Sequence, residues 1–178
     1  MKTSLEELTD EKLMEMASKG NSDAMSHIFN RYKLRLYNFF YQMAAKKVIC
    51  EELTQETFYK VIKYKNSYKG GKFSSWIFRI ARNNFYDHYQ NTKKTQPLES
   101  IEFALGEYDE DTLDEDIIHL MNVINTLKKE DKEIIIMNRL QKMKYDEIAE
   151  ITGSSAIAVK SRVHRIIKNM RTQYFKTL

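Results

Sequence analysis

The sequence predicts an all-α protein of two small helical domains, and three observations lead there. Breakers are scarce, with five glycines and one proline in 178 residues. Apolar residues recur at steps of three and four over long stretches, and no segment sustains period-two alternation. Charge is segregated: residues 1–94 carry 17 Lys and Arg against 10 Asp and Glu, and residues 95–118 carry nine acids and no base. Residues 119–178 carry 12 bases against six acids. The mild net charge of +4 therefore conceals two basic modules flanking an acidic strip. That pattern suggests modules that touch a polyanion, joined by a solvated tether.

Composition excludes several classes. A hydrophobic share of 42% can bury a core, which argues against global disorder. The single cysteine, Cys50, permits no intrachain disulfide and fits a reducing compartment. No apolar run exceeds four residues, Ile134–Met137 being one, where a spanning helix needs about 20. Met1–Glu7 lacks the apolar stretch of a secretory signal. The expectation is a cytoplasmic protein without membrane insertion, metal or cofactor. Glu107, Asp109, Glu110, Asp111, Asp114, Glu115 and Asp116 cluster in the strip, but nothing fixes them in one geometry and no Asp-x-Asp-x-Asp-Gly loop is present.

The elements follow in order. Thr9 or Asp10 caps a helix to about Lys19, closed by Gly20. Asn21 or Ser22 caps a long one whose Met25, Ile28, Phe29, Tyr32, Leu36, Phe39, Phe40 and Met43 form one stripe. A third runs from about Ile49 to Tyr64, with Cys50, Leu53, Thr57 and Val61 inward. After a Gly70-Gly71 loop, Phe73, Trp76, Ile77, Ile80, Ala81 and Asn84 define the inner face of a fourth. The C-terminal block reads as helices near 112–127, 130–142, 145–152 and 155–175.

Within that block, residues 145–165 have the spacing of a helix-turn-helix. Two helices crossing steeply need a small residue at the crossing, and Ala149 supplies it. Gly153, four residues on, tolerates positive φ; Val159, six further, can plug the second helix against Ile148. Ser154 or Ser155 can cap that helix. Read at about 100° per residue, Val159, Val163, Ile166 and Met170 form its core edge. Lys160, Ser161 and His164 then face base edges in a major groove, while Arg165, Lys168 and Arg171 suit phosphates. Arg162 lies nearer the core arc, where an ion pair with Glu147 or Glu150 competes with a DNA role.

The N-terminal module is rich in rings. Of 21 aromatic residues, 16 fall between Phe29 and Tyr89, more than a small helical core needs. On the fourth helix Phe78, Arg82, Phe85 and Tyr89 form one stripe, and Arg79, Asn83 and Tyr86 another. Rings interleaved with Arg and Asn suit unpaired bases and their phosphates, with packing against other helices as the competing role. Lys69 and Lys72 flank the two glycines, where a flipped base could approach backbone closely.

Three ordered motifs carry a family resemblance. They are Cys50-Glu51-Glu52-Leu53-Thr54-Gln55-Glu56-Thr57-Phe58, then Phe73-Ser74-Ser75-Trp76-Ile77-Phe78-Arg79-Ile80-Ala81-Arg82-Asn83, then Tyr145–Ala149 with Val159–Arg165. Over about 22–93 and 120–172 the chain resembles the bacterial extracytoplasmic-function sigma factors of RNA polymerase. The resemblance implies a region 2-like domain at 1–94, a flexible linker at 95–118 and a region 4-like domain at 119–178, without the extra domains of housekeeping sigma factors. It implies core RNA polymerase (β′ clamp helices and β subunit), promoter DNA and an anti-sigma factor clamped between the domains as partners. Glu51, Glu52, Gln55, Glu56 and Phe58 would dock on the clamp helices. Lys69, Lys72, Phe78, Arg79, Arg82, Asn83 and Tyr86 would melt and read the minus-ten element. Lys160, Ser161, His164, Arg165, Lys168 and Arg171 would read the minus-thirty-five element.

Departures from the family pattern are Ile49 for an acid, Lys128 for a proline, Lys144 for a Ser cap and Ile157-Ala158 for Gly-Thr. The competing readings are a stand-alone helix-turn-helix regulator of duplex DNA and an enzyme acting on nucleic acid. The first leaves the N-terminal motifs unused. The second lacks metal-ligand spacing among His27, His88, His119 and His164, and lacks a phosphate-cradling Gly-rich motif. The acidic strip could also screen the basic modules in the free protein.

Overall fold

The computed structural model describes residues 4–43, 46–95 and 115–176, which hold eight α-helices and no strand. They form two compact units, one built on 4–40 and 48–95 and the other on 115–176. Most of the acidic strip 95–118, residues 96–114 with the carboxylates Glu107–Asp114, lies outside the described residues, and so does the expectation that it screens the basic modules. Among those described, no helix is long and apolar enough to cross a membrane.

The first unit contains α1 (Asp10–Ser18), α2 (Ser22–Gln42), α3 (Lys47–Lys63) and α4 (Phe73–Thr95). The Thr9 hydroxyl accepts from the Lys12 N–H at 3.3 Å, and Asn21 Oδ1 from the Ala24 N–H at 2.9 Å, so both expected caps start their helices. Arg31 fastens the chain ahead of α1 to α2 by donating to the Leu8 and Glu6 carbonyls and to Asp10, and the Tyr32 hydroxyl adds a 2.6 Å bond to Asp10.

The core is aromatic. Tyr32, Phe39 and Phe40 of α2 and Phe73 and Phe78 of α4 are fully buried, joined by Leu36, Cys50, Val61, Ile77 and Ala81. Each such large side chain contributes about 1.5–3 kcal/mol by leaving water. Two expectations change here. Phe29 does not complete the α2 stripe: it is 43% exposed and meets the Phe58 ring at a tilt of 52°, with ring centroids 4.7 Å apart. The buried arc of α4 is turned by roughly 60° from the expected one, so Phe78 and Phe85 go in and Trp76 and Ile80 come half out.

The second unit contains α5 (Glu115–Asn125), α6 (Lys129–Ile135) running into a π-turn at Ile136–Leu140, α7 (Tyr145–Thr152) and α8 (Ala156–Tyr174). Ile134–Met137, Ile148, Val159, Val163 and Ile166 form its interior. Lys128 caps α6 with φ −57°, the angle a proline would hold, so its replacement touches only the helix start. Lys132 of α6 is buried, donates to Asn125 Oδ1 at 2.7 Å, and has its ammonium pushed down to about 8 by desolvation. At the far end, the Tyr174 hydroxyl donates to Asp116 and the His119 ring lies 4.5 Å from that of Tyr174, tying α5 to α8.

Candidate nucleic-acid and polymerase interfaces

The turn between α7 and α8 forms as its residues require. Gly153 adopts φ +68° and ψ 33°, and the Ser154 N–H closes back on the Ala149 carbonyl at 3.0 Å. Nothing lies within 4 Å of where a Cβ would stand on Gly153, so its role is the left-handed backbone rather than space. Ser155 starts α8 by accepting from the Ala158 N–H at 3.2 Å. Glu147 starts α7 by accepting from the Lys144 N–H at 2.9 Å, which supplies the cap that the Lys144 side chain does not.

With Val159, Val163 and Ile166 buried, α8 turns Lys160, Ser161, His164, Arg165, Lys168 and Arg171 all to solvent. The six expected readers therefore share the exposed arc. Arg162 is an ion-pair residue, but its partner is Asp131 of α6, with Nε 2.6 Å from Oδ1, rather than Glu147 or Glu150. Ile157 stands 79% exposed in the first turn of α8.

In the first unit, the loop before α4 places Gly70 at φ +95° and Gly71 at φ +83°. The Tyr68 hydroxyl donates to the Gly71 carbonyl at 2.6 Å, and the exposed Lys69 and Lys72 sit on either side of the pair. On α4, Arg79 and Asn83 are exposed, and Arg82 lies over the Tyr86 ring with its guanidinium 4.7 Å from the centroid. Phe78 does not join them. It is 0% exposed, packed edge-on to Phe39 at 5.5 Å with the Arg35 guanidinium over its face, so it is a core ring and no base can reach it. The ring whose placement departs from the expected core position is Trp76. It is half-exposed on the Arg79–Asn83 side of α4 and adjoins Tyr68 at 5.4 Å. Its place in the Phe73–Asn83 motif signalled importance, but the 3-and-4 spacing assigned it to the core.

On α3, Glu51, Glu52, Gln55 and Glu56 are exposed together within one and a half turns. Phe58 is corrected: at 5% exposure it packs inward against Phe29 and does not belong to that acidic face. Cys50 is fully buried, and burial pushes its thiol up to about 12, far from a nucleophile's range. No His, Cys, Asp and Glu cluster among the described residues could hold a metal ion.

Fold and exposed edges together define a helix-turn-helix protein that carries a second basic helical unit ahead of it. The family models for "Sigma-70 region 2" and "Sigma-70, region 4" match residues 28–95 and 118–170. The chain is 29% identical to the extracytoplasmic-function (ECF) sigma factor SigW of Bacillus subtilis, across 94% of this chain and 97% of that one. It is 23% identical to the ECF sigma factor BldN of Streptomyces coelicolor across 89% of its own length, but spans 63% of that longer protein. The sigma factor RpoE of Bartonella quintana, solved in complex with the anti-sigma factor NepR, has the same fold at a TM-score of 0.65. That similarity covers 85% of this chain and 96% of RpoE at 23% identity. The chain belongs to the ECF sigma factors of the sigma-70 family.

Proposed function

We propose that this chain binds core RNA polymerase and directs promoter-specific transcription initiation in the cytoplasm, with no catalysis of its own. The observation that carries the reading is the pairing of two exposed basic edges on separate units. One is Lys160–Arg171 on α8; the other is Arg79 and Asn83 on α4, flanked by the half-buried Arg82 and Tyr86, with Lys69 and Lys72 in the preceding loop.

The chemistry divides the work. The head of α8 in a major groove lets Lys160, Ser161 and His164 reach base edges of the minus-thirty-five element, while Arg165, Lys168 and Arg171 hold phosphates. The α4 edge and glycine loop take the non-template strand of the minus-ten element as it opens. Tyr86 and Trp76 offer rings for stacking, and Arg79 and Arg82 hold the backbone. Glu51, Glu52, Gln55 and Glu56 present carboxylates to a basic coiled coil on the β′ subunit, and the second unit meets the β subunit. Control by an anti-sigma factor is supported by the RpoE–NepR complex. The domain limits proposed are 1–94, 95–118 and 119–178. A stand-alone duplex-DNA regulator accounts for α7 and α8 but leaves the acidic α3 face and the α4 edge without work.

Run-off transcription with core polymerase on a promoter library tests the proposal. Transcripts initiated from a defined subset of promoters support it. Specific binding of bare duplex by the full chain, with no affinity for core polymerase, would favour the stand-alone regulator instead.

A further inference from the structure

Two polar side chains lie on the buried faces of α3 and α4, and nothing above gives them work. Thr57 is fully buried and Asn84 nearly so. Asn84 Nδ2 donates to Thr57 Oγ1 at 3.1 Å, and Thr57 directs its own hydrogen to the Leu53 carbonyl at 2.7 Å. Asn84 Oδ1 accepts from Lys60 Nζ at 2.5 Å. Lys60 also lies 3.7 Å from Glu56, one of the carboxylates assigned to polymerase docking. Both ends of one amide on α4 are thus held by α3, the helix with the acidic face.

Apolar packing tolerates small rotations of one helix on another, whereas a buried amide bonded at both ends accepts one orientation. Asn84 directly follows Asn83 and lies five residues after Arg79, so any turn of α4 that breaks its bonds swings the exposed edge too. A 20° turn moves side-chain heads near the helix surface by about 2 Å, enough to spoil contacts that need about 0.5 Å placement. We infer that Asn84, held by Thr57 and Lys60, is a positioning residue that keeps the Arg79–Asn83 edge in register with the polymerase-docking face of α3. This rests on the reading of that edge as the minus-ten reader.

The test uses full-length chain reconstituted with core polymerase on a promoter selected by run-off transcription. Permanganate reactivity across the minus-ten region reports strand opening, alongside core affinity and melting temperature. Asn84→Leu and Thr57→Val keep volume and remove the bonds; Thr57→Ser keeps the hydroxyl. The first two reduce opening about tenfold. They also relax discrimination among minus-ten base substitutions, with core affinity within about twofold and minus-thirty-five selectivity unchanged, and Thr57→Ser behaves as wild type. If Asn84→Leu does not fold, Lys60→Met at its half-buried site removes one of the two bonds and is expected to reduce opening about threefold.

Opening that falls only in step with core affinity or folded fraction overturns the inference, because the bonds are then merely structural. Arg79→Ala and Asn83→Ala separate the two levels. If they too leave opening and minus-ten selectivity intact, the minus-ten reading itself fails and the inference with it. If they impair opening while Asn84→Leu and Lys60→Met do not, the reading stands and the positioning role fails.

Discussion

The helices α4 and α8 have the same assigned task, meeting nucleic acid, yet they meet their own units differently. α8 buries one edge, Val159, Val163 and Ile166, and leaves a wide polar arc free. α4 buries a broad arc from Phe73 through Ile77, Phe78, Ala81, Asn84 and Phe85, and keeps only a narrow strip around Arg79 and Asn83 outside. On α8 exposure alone marks out the proposed readers. On α4 the exposed strip is too narrow to place itself, and its direction depends on what α3 and α2 hold from behind.

The largest expected effect breaks the comparison at Phe78. As a core ring, Phe78→Ala costs the first unit about 3–5 kcal/mol of stability, read by chemical denaturation. A base-stacking Phe78 would instead leave stability intact and lose strand opening. Next is the docking face: Glu52→Lys/Glu56→Lys stays folded and loses co-elution with core polymerase, since reversed charge faces a basic partner. Retained co-elution at moderate salt contradicts that face.

On α8, Lys160→Ala or His164→Ala costs about 1–3 kcal/mol at the cognate minus-thirty-five element and relaxes discrimination there. Lys168→Ala weakens all sequences alike and lowers the salt slope by about one. Equal losses on cognate and scrambled elements for Lys160→Ala would remove it from the base readers.

The same contrast sets how much of the molecule its sequence makes legible. Caps at Thr9, Asn21 and Ser155 and the left-handed turn at Gly153 depend on neighbours in sequence, and all four stand as expected. The α8 arc was legible because a helix packed on one side shows one hydrophobic stripe. The α4 arc was not: Trp76, Ile77, Phe78, Ile80 and Phe85 span most of its circumference, so spacing cannot say which rings face inward. Only packing against Phe39 and Arg35 decides for Phe78. Phe58 fails for the same reason, its partner Phe29 being 29 residues away in sequence. For Arg162 the sequence leaves an ion pair and a DNA role in competition, and the partner that decides it, Asp131, depends on where α6 lies.

The smallest effect concerns α6 behind the recognition helix. Lys132 has its ammonium lowered from 10.5 to about 8 by burial, so between those values the unfolded chain binds more protons than the folded one. Stability of the second unit therefore rises as pH climbs from about 8 toward 10.5, and the charged form is a burden below 8. Lys132→Met stabilises by roughly 1–2 kcal/mol at pH 7, with the gain shrinking as pH rises. A gain independent of pH in thermal denaturation would show that the ammonium is not the cause.

In the proposed function, two edges on separate units read two separate DNA elements under one polymerase. The direct measurement is run-off transcription from a promoter library randomised at both elements, comparing wild-type holoenzyme with Arg79→Ala/Asn83→Ala and with Lys160→Ala/His164→Ala. The first variant is expected to lose selectivity only at minus-ten positions and the second only at minus-thirty-five positions. Loss at the same positions by both variants, or at neither element by either, would contradict it.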